Sequence, residues 1–255
     1  MTMHLEFLRR TEVGKANFVV KDSKLGRQTS VIHVTLSQGH REEVVAYITN
    51  TNLTTESGVS FDTGFTLDPP AYPVDMTTLR ASNDSEWQEH KTMPFAEFRK
   101  ASGQVKFFFP KRGQQVRSVA DQWMSLQNGE KWTNNSLGFV SDMFPQIIET
   151  HFTGANPYSI EGKSAEKAEK KGSVAKYWYP TLLLNLDVKK ALPEEGVDFL
   201  FLRARAKQIK NGRYDLEVII LDEGGDIVAL SHHVCMIVSA ERNLAARSKK
   251  EESKL

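Results

Sequence analysis

Apolar and polar residues alternate in short runs along most of this chain, and glycine-centred turns separate the runs. Leu5 to Arg9, Ala16 to Val20, Thr29 to Leu36 and Glu43 to Thr49 read as strands, with turns at Gly26-Arg27 and Gln38-Gly39. The same grammar returns in Leu182 to Val188, Phe199 to Ala206, Tyr214 to Leu221 and Asp226 to Val238, where Asn211-Gly212-Arg213 and Glu223-Gly224-Gly225 supply the turns. Leu36 and Gly39 fall over Leu221 and Gly224, and Val45-Ala46 over Val228-Ala229, with only small shifts. This is the signature of one antiparallel meander present twice.

Between the copies the period changes. The stretch from Asp68-Pro69-Pro70 to Pro73 breaks it, Met76 to Lys100 is densely charged, and Val105 to Phe109, closed by Pro110, reads as an edge strand. Val119 to Leu126 then forms a strand, Asn128-Gly129 a turn, and Asn135-Ser136 the start of a helix. That helix, SLGFVSDMFPQIIETHF from 136 to 152, is strongly apolar yet carries Asp142 between Val140 and Phe144. The pattern divides the chain into a first repeat over 1–75, a linker with an edge strand over 76–115, a second repeat over 116–243 and a flexible tail over 244–255. The run KSAEKAEKK, 163–171, reads as a solvated turn or loop.

Composition narrows the function classes. With 33 basic against 32 acidic residues the chain has no field to hold a phosphate backbone, which argues against nucleic acid as partner. Its single cysteine, Cys235, excludes an internal disulfide and a cysteine-built zinc site. No run approaches the ~18 apolar residues of a membrane helix, and MTMHLEFLRR lacks an apolar signal region, so the expectation is a protein neither secreted nor membrane-bound. The last three residues, Ser253-Lys254-Leu255, form a peroxisomal address when free, which predicts that location and the import receptor as partner.

The stretches HLEFLRRTEVG, DSKLGRQTSVIHVTLSQ, VVAYITNTN, GFVSDMFPQ, YWYPTLLLNLDV and IVALSHHVCMIVSAERN resemble the thioesterase-like proteins of the acyl-CoA thioesterase II type, particularly their fungal branch, over nearly the whole chain. The resemblance implies an α+β tandem (double) hotdog, in which antiparallel sheets each wrap a central helix. The first repeat would lack its opening strand and helix, a gap that points to a homo-oligomer. It also implies hydrolysis of fatty acyl-CoA to free acid and CoA, in fatty acid metabolism, without metal or redox cofactor. The family holds its hydrolytic water with an Asp on the second helix, a Thr on the following strand and a Gln on the last long strand. VSDMF supplies Asp142 and YPTLLLNLD supplies Thr181, but in IVALSHHV the Gln position is taken by His233.

The residues permit that chemistry on their own terms. Phe139, Val140, Met143 and Phe144 around Asp142 would raise its pKa toward that of a useful base. Thr181 can orient water but cannot serve as a base. The amides of Leu137 to Phe139 would cradle an oxyanion, with Gly138 admitting the thioester closely. His232 and His233 must face opposite sides of their sheet. An imidazole at 233 would donate to the water, or act as base with Asp142 fixing its tautomer.

Bland readings stand beside these. On a helical wheel Asp142 groups with Gln146 and Glu149 at a solvated edge, and Asn185 and Asp187 share by alternation the face of Thr181. Lys189, Lys190, Arg203 and Arg205 are open either to CoA phosphates or to solvent. Two other functions compete: a non-catalytic acyl-binding or oligomerisation protein, and a hotdog enoyl-CoA hydratase, for which Asn156-Pro157 lacks its partner residues.

Overall fold

The computed structural model describes residues 1–90, 100–153 and 176–240. The tail, the 163–171 run and Asn156-Pro157 lie outside them. Four strands open the chain: β1 (Thr2–Phe7), β2 (Asn17–Lys24), β3 (Ser30–Gln38) and β4 (Arg41–Asn50). After α1 (Met76–Arg80) come β5 (Trp87–His90), β6 (Val105–Pro110) and β7 (Val119–Leu126). Two short helices follow, α2 (Leu137–Ser141) and α3 (Ile147–Thr153). The rest is β8 (Tyr177–Trp178), β9 (Thr181–Val188), β10 (Leu200–Arg205), β11 (Ile209–Lys210), β12 (Arg213–Leu221), β13 (Ile227–Met236) and β14 (Val238–Ser239).

One large antiparallel sheet runs β2-β3-β4-β1-β9-β13-β12-β10-β7-β6-β5. Its centre is a pseudo-twofold junction: β2-β3-β4-β1 on one side mirrors β10-β12-β13-β9 on the other, and β1 pairs antiparallel with β9 through Leu5↔Leu184. The duplicated meander read from the turns is thus the two halves of a single sheet. Only the second half is extended, by β7, β6 and β5.

The halves differ in what covers them. On the inner face of the second half, Leu137, Val140, Ile147 and Ile148 from the helices are buried against Leu184, Leu202, Leu216 and Ile220, each such side chain worth about 1.5–3 kcal/mol on burial. The outer face carries a second cluster of Trp87, Phe108, Trp123, Phe199 and Phe201, capped by Leu79 of α1 and by Leu67, Tyr72 and Val74. Arg203 holds that cap. Its guanidinium grips Asp121 with two bonds of 2.6 Å and donates to the Pro69 carbonyl at 2.6 Å, while Arg205 donates to the Asp68 carbonyl. With both faces covered, β7 is buried along nearly its whole length. In the first half α2 touches β1 at Met3, and β2, at the far edge, is exposed at every position.

Two expectations need correction. The single helix over 136–152 is broken: Asp142 caps α2, Met143 closes a tight turn onto Val140 (3.0 Å), and the chain restarts at Ile147. Pro145 explains the break, because it offers no amide hydrogen and excludes helical geometry at Phe144. The charged 76–115 stretch carries α1 and β5, and β5 rather than β6 is the edge strand. Its charges sit around apolar anchors, notably Leu79 and Trp87, both essentially fully buried.

Candidate active site

Asp142, His233 and Thr181 come together over the second half of the sheet, near its junction with the first. Thr133 and Ser136 start the helical segment, Ser136 Oγ accepting from the Thr133 amide (2.9 Å) and donating to its carbonyl (2.7 Å). Five residues of α2 later the chain stops at Asp142, because the helix ends where Pro145 requires it to. The carboxylate therefore stands at a helix terminus, on its solvent-exposed side.

His233 lies on the inner face of β13 and is fully buried, while His232 is exposed on the other face. Its Nδ1 is buried and lies 3.7 Å from Asp142 Oδ1, too far for a direct hydrogen bond. The ring packs edge-on against Phe144, centroids 5.4 Å apart. Its Nε2 is 2.9 Å from Ser231 Oγ, which donates its only proton to the Asn185 carbonyl at 2.7 Å. With its one proton given to Asn185, Ser231 accepts from Nε2–H when the ring carries its proton there. Ser231, two residues before His233 on the same face, helps hold the ring in place.

Burial without a compensating charge drives the His233 pKa down to about 4, helped by His232 and opposed by the Ser141 backbone. The ring is neutral at pH 7. Burial among apolar groups pushes the Asp142 carboxyl up to about 6. Its side chain nevertheless keeps 47% of its surface open, so apolar atoms crowd it from behind and water screens part of that push from the front.

Thr181 reaches the site through an irregularity. His233 pairs with Leu184 and Val234 with Leu183, but Cys235 pairs with Thr181, so β9 carries Leu182 as an extra residue. This bulge turns Thr181 onto the same face as Leu184, which simple alternation would forbid. Thr181 Oγ1 then accepts from Cys235 Sγ at 3.7 Å. Asn185 and Asp187 are left facing outward, where Asn185 is 2.6 Å from His4 Nδ1 and Asp187 pairs with Lys189. They do not compete with Thr181, contrary to strict alternation.

Several groups not singled out from the sequence border the trio. Tyr214 is buried in register with Cys235; burial and the nearby Cys235 and Asp142 hold its phenol far above its ordinary pKa, so it stays a neutral donor. The Cys235 thiol is pushed up to about 11 by burial and is inert at neutral pH. Gln122, fully buried on β7, donates to the Met143 carbonyl and tethers the turn after Asp142. A polar residue between Ala120 and Met124 on the helix-facing side of β7 was the available signal for it.

Other predicted positions lie elsewhere. A Cβ on Gly138 would meet the Met3 methyl at 3.3 Å, so that glycine admits a core side chain from β1, and Phe139 packs beside Trp132 with centroids 6.4 Å apart. The amides of Leu137 to Phe139 stand about 4.5–7.5 Å along the helix from Asp142, at ~1.5 Å per residue. Lys190 is held by Asp222 and Asp226, both at 2.6 Å, and Arg203 and Arg205 serve the 68–70 loop, so these cations are engaged within the chain.

Two antiparallel meanders joined about a pseudo-twofold, one sheathing apolar helices that end in a carboxylate facing an imidazole and a hydroxyl, define a tandem hotdog protein with a hydrolytic type of site. The chain belongs to the acyl-CoA thioesterase family: residues 73–237 match the model of the acyl-CoA thioesterase C-terminal domain and residues 1–51 that of the N-terminal domain. It is 36% identical over 282 residues to the thioesterase-like protein TwmA of Talaromyces wortmannii, covering 100% of this chain and 81% of that one. Among solved structures it resembles a conserved protein with a hot dog fold from Alicyclobacillus acidocaldarius, with TM-score 0.67, 14% identity, and 93% and 78% of the two chains covered. It also resembles the acyl-CoA thioesterase II TesB2 of Mycobacterium marinum, with TM-score 0.56, 12% identity, and 94% and 80% covered. Thioester hydrolysis is the chemistry of the family.

Proposed function

We propose that this chain hydrolyses acyl-CoA or a closely related thioester to the free acid and thiol, with Asp142 and His233 as a paired base. The observation that carries the reading is His233 Nδ1 set 3.7 Å from Asp142 Oδ1, with Thr181 brought onto the same face by a bulge. A water donating to both acceptors is polarised for attack and held in place. Its oxygen bonds to the thioester carbon, its proton passes to the carboxylate or imidazole, the C–S bond breaks, and the proton follows to the departing thiolate. The neutral Tyr214 and Thr181 hydroxyls supply donors beside that path. His233 thus replaces the family's amide with an acceptor, so the departure alters how the water is held without removing its site. Released thiol from an acyl-CoA panel tests this: turnover by the wild type that Asp142→Asn abolishes is expected, and no turnover at any chain length refutes it.

The reading includes a location. Ser253-Lys254-Leu255 would be captured by the peroxisomal import receptor, placing the enzyme with fatty acyl thioesters. A fluorescent fusion that leaves the C-terminus free should be punctate and coincide with a peroxisomal marker; deletion of the three residues should disperse it. Punctate signal from the deletion removes the assignment.

A further inference from the structure

Gln122 is a buried polar side chain that the chemistry above does not use. β7 turns Ala120, Gln122 and Met124 toward the helices, and both neighbours of Gln122 on that side belong to the apolar core. On β10 it pairs with Leu202, which is fully buried as well. The Gln122 side chain is closed to solvent, and its Oε1 has no hydrogen-bond partner among the described residues. An amide is costly to bury among apolar atoms, and an unpaired oxygen adds to the cost. A methionine would fill the same space without either. The half of the amide that is used is the donor: Nε2 gives one hydrogen to the Met143 carbonyl and turns the other toward the Met124 sulfur at 2.9 Å. Turning the amide over would set two oxygens against each other, so the donor and the unpaired acceptor are assigned.

The Met143 carbonyl lies where the helical ladder stops. In a continuous helix it would accept from the amide four residues on, that of Ile147. Pro145 breaks the ladder, so α2 ends at Ser141 and α3 begins at Ile147. The turn between them carries two groups to the imidazole: Asp142, whose Oδ1 lies 3.7 Å from His233 Nδ1, and Phe144, whose ring stands edge-on to His233 with centroids 5.4 Å apart. Among the described residues no hydrogen bond holds the Asp142 carboxylate itself. Its place is set by the backbone beneath it. On the α2 side the Asp142 amide donates to the Phe139 carbonyl (3.2 Å) and the Met143 amide to the Val140 carbonyl (3.0 Å); on the sheet side the anchor is Gln122.

We infer that Gln122 is a positioning residue for the hydrolytic base: through the Met143 carbonyl it fixes the turn that sets Asp142 and Phe144 against His233. The inference rests on the thioesterase reading. Gln122 stands on β7, three strands from β13, and is separate from the position that His233 occupies. A reacting group misplaced by about 1 Å can lose about a hundredfold in rate, so a tether on the turn acts on turnover without meeting the substrate.

The test is Gln122→Met in the full chain, which keeps the volume and removes the donor together with the unpaired oxygen. With the acyl-CoA that the wild type hydrolyses fastest, kcat should fall about tenfold to a hundredfold while KM stays within about twofold. The urea midpoint should move by less than about 0.5 M, because the bond lost is offset by the unpaired oxygen removed. The carbon–proton NMR signals of the His233 ring, assigned by their loss in His233→Gln, should shift in Gln122→Met as Phe144 moves with the turn. Unchanged kcat, a loss carried by KM, or ring signals identical to those of the wild type overturn the proposal. So does a variant that fails to fold, or whose urea midpoint falls in step with kcat, since Gln122 would then serve the core alone. If the wild type turns over no thioester, the hydrolase reading falls by itself. The ring signals and the urea midpoint then still decide whether Gln122 sets the turn.

Discussion

Asp142 and His233 titrate in opposite senses, and the pair can be separated by unfolding at two pH values. The His233 pKa falls from 6.5 to about 4 on folding, because the buried ring cannot carry a charge. The folded value lies below the unfolded one, so its stabilisation is complete above about pH 6.5 and is lost as pH falls toward 4. At about 1.4 kcal/mol per pH unit the full interval amounts to about 3 kcal/mol, of which about 2 kcal/mol is gone at pH 5. Asp142 runs the other way: its folded pKa, about 6, lies above the ordinary 3.8, so its contribution is present at low pH and lost as pH rises through 6. That term is the smaller, since water screens a carboxylate open over half its surface. In the wild type the two partly cancel. Asp142→Asn should expose the histidine term, with stability falling by about 2 kcal/mol from pH 7.5 to pH 5, whereas His233→Gln should leave stability level or rising. Urea unfolding followed by the fluorescence of the buried Trp87, Trp123 and Trp132 reads both. Identical pH responses in the two variants would refute the buried, neutral imidazole on which the paired base depends.

Other outcomes follow from the same geometry. The rate should climb through an apparent pKa near 6 as Asp142 ionises, and Asp142→Asn should cut kcat by about 10²–10⁴; a flat pH–rate profile contradicts the assigned base. Ser231→Ala removes the acceptor of the Nε2 proton, so kcat should drop about tenfold at unchanged KM, each tenfold being ~1.4 kcal/mol, with Ser231→Thr restoring most of it. Arg203→Leu strands the buried Asp121 carboxylate and should cost about 3–5 kcal/mol in denaturant unfolding. Cys235, buried and with its thiol near 11, should ignore a disulfide reagent in the native protein and react once in urea.

The strands and their duplication were legible in the sequence, because period-two alternation and glycine turns are local properties. Pairing across the chain was not: nothing in Leu5 or Leu184 announces that they meet at the junction. Asp142 stood out as a carboxylate among apolar neighbours, although the effect of Pro145 on the helix beneath it was missed. Thr181 was reached only through resemblance, since a bulge at Leu182 shifts the alternation from which its face would be read. Gly138 shows a related limit of local pattern: a glycine signals close approach without saying of what, and one neighbour here is Met3. Arg203 and Arg205 looked available to a ligand because the Asp68 and Pro69 carbonyls that occupy them lie more than 130 residues away.

The outermost strand of the uncovered half has one further consequence. β2 borders only β3, so one row of its amides and carbonyls is unclaimed and offers a template to any passing extended chain. Lys21, Asp22 and Lys24 stand along that border like fence posts, making stacked association costly in charge. Neutralising them should promote ribbon-like association of the chain, with the Asp142–His233 pair several strands away left undisturbed.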